Sequence, residues 1–270
     1  MTTPRVHVLG VLAVSLAVAV APAAASRSAQ AGAESAAMPL VVSCGFSHRS
    51  HDDPIVYPRQ PGRSHDHTFF GNRSTNASST PASLRAHRRT TCAQPADTAA
   101  YWAPTLFVGR RAIVPLTLVA TYVRRTTDPV VPFPAGLKVI AGDAHARTAQ
   151  SSDVAFWSCA AARRSSTIPT CPGGRGGLQL HITFPNCWDG KRLDSANHRS
   201  HMAYAASGAC PGSHPVEVPT LLLVISYPAA GGPNAMLSSG RFSAHADFVN
   251  AWNQATFAGL IEGYLNGKRA

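Results

Sequence analysis

From Leu40 onward, apolar runs are broken by Pro, Gly, Asn or Ser roughly every ten residues, the rhythm of strand and turn in all-β proteins. This punctuation constrains the fold more than any other feature. An ordinary helix runs ~10–14 residues without such breakers, so crossover helices for a parallel α/β sheet find no room. The 21 Gly and 21 Pro also exclude a long coiled coil. We read strands over 39–43, 105–108, 113–123, 137–140, 178–184 and 220–227. Thr121, Tyr122 and Val123, and residues 221–225, carry the β-branched and large apolar side chains that suit a buried pleated surface. The predicted fold is mainly β, a single-domain β-sandwich or jelly-roll-like body with long loops and one C-terminal helix. That helix is read from apolar positions recurring near the 3.6 period from Phe248 to Leu265. Gly267 closes it, and Ser243 or Asp247 caps its start. Loops are expected over 72–86, 126–133 and 144–175, with a turn at 173–177.

Near the N-terminus, Arg5 and His7 precede an apolar run over 8–20, followed by Pro22 and three alanines at 23–25. A basic start, a short apolar stretch and a small-residue exit are the marks of a secretory signal peptide. The run is shorter than the ~20 residues needed to cross ~30 Å of hydrocarbon. We therefore expect a leader over 1–25, a disordered small-residue tether over 26–39 and one domain over 40–270. The mature protein is expected to be secreted, extracellular and monomeric, with no membrane span. In that compartment the six cysteines predict disulfides rather than free thiols. Sequence cannot choose among the possible pairings; joining nearest neighbours gives Cys44–Cys92, Cys159–Cys171 and Cys187–Cys210.

The chemistry-bearing residues fall in three segments. His65, Asp66 and His67 precede Phe69 and Phe70; imidazoles two apart on an extended chain point to one face. His198 and His201 follow Asp189 and Asp194, at a spacing that shares one face of a helical turn. His245 and Asp247 stand at the expected start of the last helix. Each cluster has a plainer reading as loop hydrogen bonding or helix capping, and Trp188, Trp102, Tyr101 and Trp157 read first as packing residues. His48, His51, His87 and His145 lie in polar loops and receive no role; His181 reads as a satisfied strand residue. Together the clusters are the raw material of an acid–base or metal site, with catalytic candidates His65, Asp66, His67, Asp194, His198, His201, His245 and Asp247. A divalent metal is a possible cofactor, drawn from His65, His67, His198, His201 and His245. Trp188, Asp189, Arg199 and Tyr204 are candidate substrate contacts. The net charge of +11 suits anionic wall polymers. Its arginines are scattered and belong to no recognised module, so nucleic acid is not expected as a partner.

Several stretches carry a family resemblance: residues 64–72, Thr91–Cys92, 100–106, 133–137, 184–190, 193–204, Cys210–Pro211, 214–216 and 243–248. Most specific are Cys187-Trp188-Asp189-Gly190 and the stretch from His198 to His201. Over residues 40–266 the chain resembles the secreted domain-of-unknown-function-1996 family of actinomycetes and fungi. The resemblance implies a fold and an extracellular setting but no reaction. Fungal members are often joined to carbohydrate-binding WSC modules, which implies an extracellular glycan as partner. Three functions follow. The first is an enzyme on extracellular polysaccharide, with two carboxylates from Asp66, Asp189, Asp194 and Asp247 set ~5–9.5 Å apart for hydrolysis, or a lyase using His and Tyr204 with Arg199 neutralising a uronate. The second is a transition-metal site, and the third a non-catalytic cell-wall or carbohydrate-binding module.

Overall fold

The computed structural model describes residues 1–2, 37–160, 163–172 and 177–268. The expected leader, most of the tether and residues 173–176 of the glycine-rich turn lie outside them. Ten strands build the main body: β1 (Leu40–Cys44), β2 (Phe46–Ser50), β3 (His67–Gly71), β4 (Ala100–Pro104), β5 (Thr117–Val123), β6 (Lys138–Gly142), β7 (Ala155–Cys159), β8 (Leu178–Thr183), β9 (Thr220–Tyr227) and β10 (His245–Val249). They form two five-stranded antiparallel sheets, ordered β1-β5-β9-β8-β7 and β2-β3-β4-β10-β6. The expected mainly β fold is the one observed.

The first sheet shows the alternation its sequence encodes. Leu118, Ala120 and Tyr122 of β5, Leu180 and Ile182 of β8, and Leu223 and Ile225 of β9 point into a core shared with the second sheet. Intervening residues are half-exposed, as expected where one face of a sheet meets water. Across that core, Trp252 Nε1–H donates to the Tyr122 hydroxyl, Tyr122 is bonded to Tyr101 at 2.7 Å, and Tyr101 donates to Asp97.

The second sheet differs, and the difference positions the site. Every residue of β3, β4 and β10 is buried. Phe70, Tyr101, Val139, Ala246 and Phe248 face the shared core. Phe69, Trp102, Ile140 and Val249 face the other way, into a second cluster closed by Ile55, Leu84 and Ala251 from covering segments. His67, His245 and Asp247 share that second face by strand alternation.

Three disulfides pair nearest neighbours: Cys44–Cys92, Cys159–Cys171 and Cys187–Cys210. Small three-stranded sheets formed by Leu106–Val108, Arg111–Ala112 and Ala235–Leu237, and by Cys187–Trp188, Met202–Ala203 and Val216–Glu217, close the ends. No helix among the described residues is long and apolar enough to cross a membrane.

Three local expectations are corrected. Phe248 lies in β10, not in the last helix, and Asp247 caps nothing; α2 (Gln254–Leu260) starts at Asn253, whose side chain accepts from Thr256 N–H, and runs into a π turn at Ile261–Leu265. A short helix, α1 (Pro81–Ala86), interrupts the first expected loop, held by a reciprocal capping box between Thr80 and Ser83. β7 crosses the 144–175 stretch read as loop, paired to β8 by Trp157 and its neighbours.

Candidate functional site

His67 and His245 open β3 and β10, with β4 between them. Trp102 of β4 pairs Phe69 on one side and Asp247 on the other, and Pro104 pairs His67. His245 is therefore level with Pro104, two strand spacings from His67, yet the two rings lean to a centroid separation of 5.7 Å. His65, just ahead of β3, stands 4.1 Å from His67 and 5.0 Å from His245. One ring nitrogen from each of the three lies within 4.8 Å of the others. The strand β10 reaches this place because Gly142, paired with His245, has φ +79°; a Cβ there would stand 2.3 Å from the Ala244 carbonyl oxygen and 2.8 Å from the His245 Cα.

The hydrogen bonds fix which nitrogen is free. His67 Nδ1–H donates to the Asp52 carbonyl at 2.9 Å, and His245 Nδ1–H to the Ser243 carbonyl at 2.7 Å. A carbonyl only accepts, so both rings keep an Nε2 lone pair. The Nε2 atoms of His65 and His67 are buried without a hydrogen-bond partner, as is Asp247 Oδ2, which lies 3.9 Å from His245 Nε2. Backbone anchoring of the distal nitrogen is how ligating histidines are oriented in metal proteins.

Burial dominates the electrostatics. It lowers His65 to about 4, helped by His145, and His245 to about 3, helped by His65. Burial, then repulsion from His65 and His245, holds His67 well below the ordinary histidine value. All three are thus neutral near neutral pH, the form that binds metal. Burial and the charge of Asp53 push Asp247 well above the ordinary carboxyl range. Asp53 is itself raised by burial, against the N–H groups of Val56 and Ile55 that bond its carboxylate.

His65 and His245 line a cleft of about 240 Å³, whose wall also includes Asp53, Tyr57, His198, Arg199 and Asp247. His198 sits at φ +57°, rare for a side-chain-bearing residue, and its Nδ1–H donates to Asp194 at 2.9 Å. A larger depression, about 350 Å³, beside Arg85, Arg88 and the start of α2, contains no carboxylate or imidazole.

Other nominated residues point elsewhere. Asp66, one residue from each histidine of its motif, faces away and is clamped by Arg49 and Thr105; burial raises its pKa, and these two partners more than offset that. His201 is buried with both nitrogens bonded, to the Lys138 carbonyl and the Ser195 hydroxyl. The spacing that put His198 and His201 on one face applies to a helix, and this segment is a run of turns. Asp194 binds Lys138 and His198. Asp189 caps its own turn and pairs with Arg192, and Trp188 donates to the Arg192 carbonyl. Arg199 is exposed on the cleft, and the Tyr204 ring is exposed with its hydroxyl donating to the Thr183 carbonyl. Sequence reasoning missed Asp53 and gave no role to His145, which also lines the cleft. Among the described residues, Cys44, Cys92 and Asp97 also cluster, but the two cysteines are disulfide-bonded and offer no thiolate.

No curated protein and no solved structure matches the chain. A family model described as Domain of unknown function (DUF1996) matches residues 53–252, from the buried aspartate of the cleft through both sheets to the tryptophan of the shared core. A match of that extent covers His65 and the strands that carry His67 and His245, and the chain belongs to the DUF1996 family.

Proposed function

We propose that this protein is an exported, metal-dependent enzyme acting on extracellular polysaccharide, with His65, His67 and His245 holding a divalent transition-metal ion. The observation that carries the reading is the convergence of three imidazoles with nitrogens within 4.8 Å of one another beside one cleft, two of them anchored by Nδ1 so that Nε2 stays free. Three nitrogen ligands with further positions open is the ligand set of catalytic rather than structural zinc. Nitrogen donors favour Zn, Cu or Mn over Ca, which takes an oxygen shell. Such an ion would supply Lewis acidity. Asp247, whose carboxyl burial pushes up beside His245, is placed to give a proton to a leaving oxygen, and Arg199 and His198 stand at the mouth to meet the ligand. The three disulfides agree with export. Asp66, Asp189, Asp194 and His201, held by their own hydrogen bonds and ion pairs, then take no part in the reaction.

Protein purified without chelator is expected to hold about one equivalent of a transition metal and to melt higher when loaded. His67→Ala and His245→Ala are expected to lose both properties. Absence of metal, together with no thermal response to Zn, Cu or Mn, would overturn the metal reading. Release of soluble sugar from a panel of wall and plant polysaccharides, abolished in His245→Ala, tests the substrate; no product from any member of the panel removes it. A second reading, a non-catalytic wall-binding module, draws on the net charge of +11. Simple electrostatic adhesion disappears near 1 M salt, where the screening length is ~3 Å.

A further inference from the structure

The cleft does not end at the imidazoles. Ile140 and Arg199 also line a neighbouring depression of about 220 Å³ that continues past Gln150 and Met202 to Tyr204. Val154 and Tyr204 in turn border a third lobe, about 460 Å³, floored by Asn186 and Thr220 and rimmed by Arg125 and Asp153. The three lobes share lining residues in succession, from the histidines past β6 to the start of β9, and together they outline a groove.

The distal lobe has the makings of a binding site. Asn186 Nδ2 and Thr220 Oγ1 are buried polar atoms without a partner in a structure that satisfies most of its polar groups. Asn186 and Thr220 are only 4% and 2% exposed. Asn186 is fixed in place, its Oδ1 accepting from Ala205 N–H. Above them the Tyr204 ring is 42% exposed and held by its hydroxyl bond to Thr183. A rigid exposed aromatic beside uncharged hydrogen-bonding groups suits a ligand with apolar C–H faces and many hydroxyls. Arg125 and Asp153 give the rim both signs of charge, which favours neither a polyanion nor a polycation.

We infer that this groove binds a glycan chain several sugar units long, with the distal lobe holding units remote from the histidines. The inference deepens the proposed polysaccharide reading, but it stands on the lobe beyond Tyr204 and not on the metal. Remote subsites of this kind supply binding energy that can be used at the reacting bond.

The test measures binding of cello- and chito-hexaoses, and of their dimers, to metal-stripped full-length protein by calorimetry. At least one hexaose is expected to bind about tenfold or more tighter than its dimer, the gain of a further subsite. Tyr204→Ala and Thr220→Val are each expected to erode that gain while leaving the melting temperature near wild type; the ring is exposed and the Thr→Val exchange nearly isosteric. Because the binding is measured on metal-stripped protein, failure of the metal reading and failure of this one are separable. Equal affinity for hexaose and dimer, no hexaose binding, or a gain that survives both variants overturns the inference. So does saturable binding of an unfolded polypeptide with no response to any hexaose.

Discussion

At the scale of single residues, the most informative group besides the histidines is Asp97. It is buried, accepts from the Tyr101 hydroxyl and Ala99 N–H, and burial pushes its pKa up to about 7 from an ordinary 3.8. The sign of the linkage follows. The folded state binds the proton more tightly than the unfolded one, so the stabilisation is complete below pH 3.8 and lost as pH rises through about 7. Asp97→Asn has no such proton, so its melting temperature relative to wild type should climb between pH 4 and 7 and level off above. A pH-independent difference would mean that Asp97 is charged throughout. Among the candidate ligands, the pairing of His65 and His67 was legible because a period of two needs only an extended chain. Asp53 was not legible, since nothing in Asp52-Asp53-Pro54 says which carboxylate a distant sheet will bury. His201 failed for a related reason: its spacing carries meaning only on a helix, and its bonds to Ser195 and Lys138 are fixed by the fold.

At the scale of elements, β7 of the first sheet was read as loop, but its other strands were readable from their long β-branched and apolar runs. β5, β8 and β9 were found for that reason. β3, β4 and β10 are buried on both faces and show no such pattern, so β10 was merged with the helix that follows it. The periodicity from Phe248 to Leu265 runs across a real break at Asn253. The position of β10 rests on Gly142, and Gly142→Ala provides a test. Its Cβ would collide with the Ala244 carbonyl and the His245 backbone, at a φ that alone costs a side chain ~1 kcal/mol or more. We expect a lower melting temperature and weakened metal binding although no ligand is changed. Metal titration of the variant decides; unaltered binding would show that His245 does not depend on this close approach.

At the scale of the whole molecule, the disulfides and the site occupy different parts of the structure. Cys44–Cys92 ties the end of β1 to the segment ahead of β4, and Cys187–Cys210 braces the small sheet beside Trp188. Each closure is worth ~3–4 kcal/mol on the loop-entropy model, so reduction should lower the melting temperature well beyond any single surface substitution. A saturating ion at about a hundred times its Kd should raise stability by ~2.7 kcal/mol in the same measurement. The two effects should add, since no cysteine touches a histidine of the cluster; strong non-additivity would show the halves to be coupled. The three disulfides and a β-rich body were visible in the sequence because they depend on composition and local spacing. Which histidines meet was not, because it is decided by strand order. Two of the three imidazoles ride on strands packed on both sides, with only a proline between them. A cage built on them has two of its three corners fixed by the sheet, with His65 just ahead of β3. Its bite is set by the pitch of the sheet, so an ion of unsuitable radius or geometry would be refused rather than accommodated, and preference among metals would depart from the usual ladder of intrinsic affinities.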